Sequence, residues 1–109
     1  MSDMTKKEMN QKLLSLFVDW EDVSDGSGDT IHWGDGYNWY EFDFFKNPPK
    51  NIFEVIEKHK ISVTHHRDFW TSESDSLISS NFDSSLAGKT YQEALAKILI
   101  KIGEEYGQI

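Results

Sequence analysis

Two amphipathic helical patterns with the same N-terminal signature lie towards the two ends of the chain. Thr5 is followed by Glu8, and Thr90 by Glu93, which is the Thr-x-x-Glu spacing of a helix capping box. Apolar residues follow each box at helical intervals. The first pattern predicts an amphipathic helix from about Thr5 to Val18, and the second predicts a helix that ends at Gly103.

The residues after the first helix predict a loop and a hairpin. Ser24–Asp29 consists only of Ser, Asp and Gly, a composition typical of loops. Thr30–Trp33 and Tyr37–Phe42 are rich in β-branched and aromatic residues, and Gly34-Asp35-Gly36 between them has the chemistry of a hairpin turn. We therefore expect two antiparallel strands here.

A second helix and a second pair of strands are expected next. Asn47-Pro48-Pro49 ends any strand because proline cannot donate to a β-ladder, and the apolar residues after it recur at helical spacing. This pattern predicts a helix from about Pro49 to Lys60. Ile61–Trp70 and Ser76–Phe82 are predicted strands, with the polar run Thr71–Asp75 as their connection.

The predicted elements follow the order α-β-β-α-β-β-α. This order predicts an α+β fold in which an antiparallel sheet of about four strands packs between helices as a helix-sheet-helix sandwich. A length of 109 residues is the usual size of one domain. Residues 1–109 are therefore expected to form a single domain.

Three blocks spread over most of the chain share a pattern with one known family. The blocks are Val18-Asp19-Trp20-Glu21, residues 45–52 (FKNPPKNI), and the last predicted helix from Thr90 to Gly103. Together they resemble the phage ABA sandwich domain, a family of small phage and prophage proteins. The resemblance implies a sheet between helical layers and a phage or prophage origin, and it implies no catalytic residues.

Charge is distributed unevenly along the chain. There are 19 Asp and Glu against 11 Lys and Arg, a formal net charge of -8. Such acidity opposes binding to nucleic-acid phosphates or anionic lipid and favours basic partners. No Lys or Arg occurs between Lys12 and Lys46, where eight acidic residues are interleaved with Trp, Tyr and Phe. This acidic and aromatic block is the most unusual feature of the sequence.

The compartment is predicted from what the sequence lacks. There is no cysteine, which excludes disulfide bonds and thiolate metal sites. The polar first ten residues lack the apolar core of a signal peptide, and no stretch approaches the roughly 20 apolar residues of a membrane span. We expect a cytoplasmic protein without a membrane partner, in a bacterial host cell if the phage resemblance holds.

The acidic and aromatic block predicts a protein-binding surface. Its carboxylates and rings could mimic nucleic-acid phosphates and bases towards a basic host protein, such as a nucleic-acid-binding nuclease. The predicted contact residues are Asp25, Asp29, Trp33, Asp35, Tyr37 and Trp39. The protein would then be a non-enzymatic inhibitor or modulator of host antiviral defence that does not itself bind nucleic acid. In the alternative, the rings form the core and the carboxylates are only a solvated face.

A nucleotide-sequestering oligomer is a second hypothesis. Ile100 and Tyr106 lie off the main apolar stripe of the last helix and could extend it into a homo-oligomer seam. A signalling nucleotide would then bind in a pocket between subunits. Its phosphates would contact the few available cations, such as Arg67 and Lys89.

A small hydrolase is the third hypothesis, and the motifs argue against it. No spacing singles out a nucleophile, a base and an orienting acid. Gly88-Lys89-Thr90 resembles the end of a phosphate-binding loop, but the first glycine of that motif would fall at Asp83, whose carboxylate repels phosphate. We expect no enzyme activity and no cofactor.

No metal site is expected either. Asp25–Asp29 resembles a calcium loop, but Thr30 and Gly36 stand where such a loop needs its glycine and its bidentate carboxylate. His65 and His66 are adjacent in a predicted strand and would point to opposite faces, so they cannot easily hold one ion.

Overall fold

The computed structural model describes residues 4–77 and 86–109 and has the α+β class predicted from the sequence. Its elements are α1 Lys6–Phe17, β1 Asp22–Asp25, β2 Ile31–Gly34, β3 Trp39–Phe42, α2 Ile52–His59, β4 Ile61–His65, β5 Trp70–Ser74 and α3 Tyr91–Tyr106. In these two ranges the strands form two antiparallel sheets, β1-β2-β3 and β4-β5. The predicted order gains one strand, and the single sheet of about four strands is replaced by two smaller sheets.

The chain divides into two compact units, residues 1–49 and residues 50–109. The first unit contains α1 and the three-stranded sheet. The second contains α2, the β4-β5 hairpin and α3. That residues 1–109 form a single domain stays a prediction.

Helix α1 begins at the predicted capping box. The Thr5 hydroxyl accepts a hydrogen bond from the Glu8 backbone N–H, and the Glu8 carboxylate accepts one from the Thr5 backbone N–H. These bonds satisfy backbone donors that the first helical turn otherwise leaves unpaired. Met9, Leu13 and Leu14 are buried, so the helical stripe read from the sequence is the buried face of α1.

A buried amide connects α1 to both ends of the β2-β3 hairpin. Asn10 is 0% exposed, and its Nδ2 donates to the Asp29 carbonyl oxygen at 2.8 Å and to Asp43 Oδ1 at 3.2 Å. Its Oδ1 accepts from the Phe44 backbone N–H at 2.9 Å. Asp29 precedes β2 and Asp43 follows β3, so one side chain fixes where the hairpin starts and where it ends.

The prediction that the loop begins at Ser24 is wrong, because strand β1 extends to Asp25. Asp22–Asp25 pairs antiparallel with β2, although Ser24 and Asp25 were assigned to the loop Ser24–Asp29. Asp and Ser have low strand propensity, which is why the local sequence did not predict β1. Pairing with the apolar and aromatic strand β2 satisfies its backbone groups instead, and the loop is confined to the residues between Asp25 and Ile31.

Strand β5 corrects the predicted connection Thr71–Asp75. Trp70–Ser74 pairs with β4, and tertiary hydrogen bonds satisfy its hydroxyls: Ser72 Oγ donates to the Ala94 carbonyl and Ser74 Oγ to the His59 carbonyl. The predicted strand Ser76–Phe82 begins in a turn at Ser76 and Leu77. Its remainder, residues 78–82, lies outside the described residues.

Helix α3 is longer than predicted. The Thr90 hydroxyl caps it by accepting from the Glu93 backbone N–H, and it continues past Gly103 to Tyr106, where Gly107 ends it with a left-handed φ of 76°. Left-handed residues that end helices are usually glycine, because glycine has no Cβ to clash. Ile100 is buried within the chain, so it is not available for the predicted oligomer seam.

Replacing Asn10 should destabilise the first unit strongly. Asn10→Ala leaves the Phe44 N–H and the Asp29 carbonyl without this partner, and unsatisfied buried groups cost about 1–3 kcal/mol. We expect the free energy of unfolding to fall by about 2–3 kcal/mol, measured by urea denaturation with circular dichroism. Gln11→Ala, at the exposed next position of α1, is the control and should change it little. Equal effects of the two substitutions would contradict the role given to Asn10.

The environment of His59 predicts that the free energy of unfolding of the second unit depends on pH. Its Nδ1 lies 2.6 Å from Ser76 Oγ, and its Nε2 is buried with no hydrogen-bond partner among the described residues. Burial, and then the charge of Lys58, lowers the pKa of His59 below the ordinary 6.5. The unfolded chain therefore binds this proton more readily than the folded chain.

The free energy of unfolding should therefore fall as the pH drops below about 6.5 towards the lower folded pKa of His59. Chemical denaturation at a series of pH values measures this slope. His59→Gln, which cannot titrate, should flatten it, whereas His66→Gln at an exposed position of the same unit should not. An unchanged slope in His59→Gln would rule out His59 as its source.

Candidate protein-binding surface

The register of the three-stranded sheet decides which side chains share a face. Ile31 pairs with Phe42, and both are buried. Because alternate residues of a strand point to the same side, the row Val23, Trp33 and Tyr40 lies on this same face. An apolar row therefore continues the buried face towards the β2-β3 turn.

This row is only partly covered. The rings of Trp33 and Tyr40, a cross-strand pair, stack with centroids 4.5 Å apart. Such pairs stabilise a sheet by roughly 0.5–1.5 kcal/mol beyond burial. Val23 and Tyr40 nevertheless remain exposed, Tyr40 at 41%. The ring pair thus both stabilises the hairpin and presents an apolar surface.

The opposite face carries an exposed indole and a histidine–glutamate pair. Trp39 pairs with Gly34 and is 60% exposed, and a Cβ at Gly34 would lie 3.4 Å from its ring, so the indole covers this glycine. The next row contains His32 and Glu41, with His32 Nε2 3.5 Å from Glu41 Oε1. This face is therefore polar apart from Trp39.

Asp35 organises the turn between β2 and β3. Its Oδ1 accepts from the backbone N–H groups of Asn38 at 2.8 Å and Tyr37 at 2.9 Å, and its Oδ2 accepts from the Tyr40 hydroxyl at 3.2 Å. These bonds stabilise the charged carboxylate, led by the Asn38 and Tyr37 N–H groups, and lower the pKa of Asp35 below its ordinary 3.8. Asp35 is a structural residue of the turn as well as a negative charge.

Two further carboxylates lie at this end of the sheet. Asp22 pairs with Gly34, and Glu21 donates its backbone N–H to the Gly34 carbonyl at 2.9 Å. The Glu21 carboxylate packs against the turn, since a Cβ at Gly36 would lie only 2.6 Å from it. Tyr37, at the tip of the turn, is 94% exposed.

We call these residues the turn-end surface: Glu21, Asp22, Asp35, Tyr37, Trp39 and Tyr40. A shallow pocket of about 80 Å³ lies within it and is lined by Asp22, Gly34, Gly36, Tyr37, Asn38 and Trp39. Three carboxylates and three exposed rings therefore lie at one end of a small sheet, with Trp39 on one face and Tyr40 on the other, and such a mixture of rings and charge suits protein contact.

The structure brings together only part of the predicted site. Asp35, Tyr37 and Trp39 lie at the turn end, whereas Asp25 and Asp29 lie at the other end of β1 and β2. At that second end the Lys7 ammonium donates to the Gly26 carbonyl at 3.4 Å and adds a positive charge. The predicted surface is therefore two separate groups of residues.

Trp33 lies between the two groups, half-buried under its stacking with Tyr40. The reading that the rings of this block form the core is wrong for Tyr37 and Trp39, which are exposed. Glu21 and Asp22 were missed because β1 was not predicted, and only its pairing with β2 brings them to the turn.

The two cations of the nucleotide hypothesis lie at one end of the β4-β5 hairpin. Arg67 is in the turn that joins these strands, and Lys89 follows Gly88, which exchanges two backbone hydrogen bonds with Trp70 at the start of β5. Both side chains are exposed. The Glu93 carboxylate accepts from the Lys89 backbone N–H at 3.0 Å and adds a negative charge beside it.

No family model, curated protein or solved structure matches this chain. Membership of the phage ABA sandwich family therefore stays a prediction. Within residues 4–77 and 86–109, no group of three or more His, Cys, Asp or Glu side chains is arranged to hold a metal ion. In those same ranges no helix has both the length and the apolar character needed to cross a membrane.

Asp35 should stabilise the turn through its oxygens more than through its charge. Asp35→Asn keeps a carbonyl oxygen that can accept both backbone N–H bonds, whereas Asp35→Ala removes them. We expect Asp35→Ala to lower thermal stability more than Asp35→Asn at neutral pH. Because the pKa of Asp35 is lowered on folding, its charge-dependent contribution is present above pH 3.8 and is lost below it, as the pH falls through the folded pKa.

Thermal unfolding of the native chain and both variants between pH 3 and pH 7 measures these contributions. The difference between the native chain and Asp35→Asn should shrink as the pH falls below 3.8, because the unfolded chain then binds a proton at this carboxyl more readily than the folded chain. If the Asp35→Ala and Asp35→Asn variants have the same thermal stability at neutral pH, the hydrogen bonds from the Tyr37 and Asn38 N–H groups do not stabilise the turn.

Proposed function

We propose that this protein is a non-enzymatic binding protein that docks its turn-end surface on a basic surface of a partner protein. The observation that carries the proposal is the exposure of Tyr37, Trp39 and Tyr40 beside three carboxylates. Exposed aromatic residues are the side chains that most often dominate protein interfaces. Nothing in the packing of the first unit requires Tyr37, at 94% exposure, to be aromatic.

The charge of the first unit supports a basic partner. Residues 1–49 contain ten Asp and Glu against four Lys, and no Lys or Arg lies between Lys12 and Lys46. The carboxylates would steer a positively charged surface towards the sheet and disfavour acidic competitors. The rings would then contribute the buried area of the complex.

The biological setting of the proposal rests on the resemblance to phage ABA sandwich proteins. On that basis the partner is a protein of a bacterial host's antiviral defence, such as a nuclease whose basic groove binds nucleic acid. A carboxylate surface would occupy that groove in place of phosphates. The protein would act in the host cytoplasm as an inhibitor or modulator.

The nucleotide-sequestering alternative has less support. Arg67 and Lys89 lie at one end of the β4-β5 hairpin, but the Glu93 carboxylate beside Lys89 opposes phosphate binding there. The burial of Ile100 also removes half of the predicted seam between subunits. The acidic and aromatic turn-end surface is therefore the better supported site.

The test compares two variants of equal charge. Asp22→Asn with Asp35→Asn alters the turn-end surface, and Asp25→Asn with Asp29→Asn alters the other end of the sheet. Partners are captured from bacterial lysate at low and high salt and identified, and the affinity of the main partner is then measured. Two surface charge pairs contribute on the order of 1.4 kcal/mol together, so the turn-end variant should bind about tenfold more weakly.

The control variant should bind almost as tightly as the native chain. High salt should weaken the binding of the native chain and of both charge variants. Trp39→Ala should weaken binding by about thirtyfold, as expected for a central aromatic side chain of an interface. Equal loss in the two charge variants would assign binding to net charge alone. The proposal would be refuted if binding were weakened neither by high salt, nor by Asp22→Asn with Asp35→Asn, nor by Trp39→Ala.

A further inference from the structure

The three-stranded sheet has two edges. A hydrogen bond in the turn between β2 and β3 shows which backbone groups of β3 point towards β2 and which point away from it. The order β1-β2-β3 leaves β1 and β3 at the edges. The Asp35 N–H donates to the Asn38 carbonyl at 3.2 Å, which makes these two residues a hydrogen-bonded pair. Hydrogen-bonded and non-hydrogen-bonded pairs alternate along antiparallel strands. The backbone groups of Tyr40 therefore point towards β2, and those of Trp39 and Glu41 point outwards.

The residues of β3 next to the turn lie at the surface. Trp39 and Tyr40 are exposed, and the Glu41 side chain is 77% exposed. Within the part of the chain that the structure describes, β3 is paired on one side only. A row of unpaired N–H and C=O groups at a sheet edge is a template for another strand.

The edge strands β1 and β3 differ in composition. Two of the four residues of β1, Asp22 and Asp25, are aspartates, and Asp is depleted in strands, whereas aromatic residues such as those of β3 are enriched in them. The sequence of β3, Trp39–Phe42, has no bulge in its pairing with β2 and contains no Lys or Pro.

We propose that the partner contributes an extended basic segment that adds to β3 as a fourth strand. This inference rests on the proposed function and specifies how the partner is held. Its backbone would bond to Trp39 and Glu41, an apolar residue would lie beside Tyr40, and a Lys or Arg would lie beside Glu41. A second copy of this chain fits the edge poorly because it would bring another Glu41 and a net charge of -8.

Charge complementarity selects the sequence of that segment. On one face of the sheet the row Val23, Trp33 and Tyr40 is apolar, and on the other Glu41 is the residue nearest the edge in its row. A fourth strand with alternating apolar and basic residues would continue both rows. This pattern matches the general mode in which strand addition gives affinity through the backbone and specificity through alternate side chains.

A synthetic peptide of alternating Lys and Val with blocked ends is the probe. Two further peptides carry N-methyl groups on the Lys amides or on the Val amides, because N–H groups of alternate residues point to opposite edges of a strand. Binding is measured by fluorescence anisotropy with labelled peptides. One methylated peptide should bind at least about tenfold more weakly, since it loses several backbone hydrogen bonds, while the other stays close to the unmodified peptide.

Amide hydrogen exchange locates the bound strand. The unmodified peptide should slow exchange at the Trp39 and Glu41 amides and leave the Val23 and Asp25 amides, at the β1 edge, unchanged. Glu41→Gln should weaken binding about fivefold, as expected from one exposed charge pair, and Glu73→Gln on β5 is the matched control that should not.

The outcomes separate this inference from the proposed function. Equal binding of both methylated peptides, or protection at β1 instead of β3, would overturn strand addition while leaving the turn-end surface as a docking site. Failure of the Lys-Val peptide to bind would also overturn strand addition. The proposed function would then be tested only by the partner captured from lysate. Self-association of the chain with protected Trp39 and Glu41 amides would replace the basic segment with a second copy.

Discussion

The buried amide of Asn10 fixes the geometry on which the rest of the first unit depends. It bonds to the Asp29 carbonyl before β2 and to Asp43 and the Phe44 N–H after β3, so both ends of the hairpin are held to α1. A fully buried amide must satisfy its donors and acceptor, and a shifted hairpin would leave them unpaired. Ile31 and Phe42, in the part of the hairpin that Asn10 holds, are buried, whereas Tyr37, Trp39 and Tyr40 nearer the turn are exposed.

The second unit uses hydroxyl groups for the same purpose. Ser72 and Ser74 of β5 donate to carbonyls of other segments, and Ser76 lies against the His59 ring. These hydrogen bonds hold the polar strand β5 at a defined position, because each buried polar group needs its partner. Few apolar residues were available in Trp70–Ser74, so hydrogen bonds across the unit replace the alternating apolar pattern of ordinary strands.

The acidic residues of the first unit have different physical roles although the sequence presents them as one block. Asp43 accepts from Asn10 and from the Phe45 N–H, and Asp35 accepts from two N–H groups of its turn. Such carboxylates stabilise local structure and still contribute negative charge. Asp22 and Asp25 lie on the edge strand β1, where they place negative charge at opposite ends of the sheet.

The sequence by itself determined the α+β class, the three helices and the β2-β3 hairpin. These depend on contacts within a few residues: the capping box at Thr5, the side-chain cap at Thr90, and the bonds of Asp35 within the turn, which begins after Gly34 and extends to Asn38 instead of ending at Gly36. Tertiary structure alone decided that polar β1 and β5 are strands, since their backbone groups are satisfied only by pairing with other strands. It also separated Asp25 and Asp29 from the turn, because chain reversal, rather than distance along the sequence, determines which residues meet.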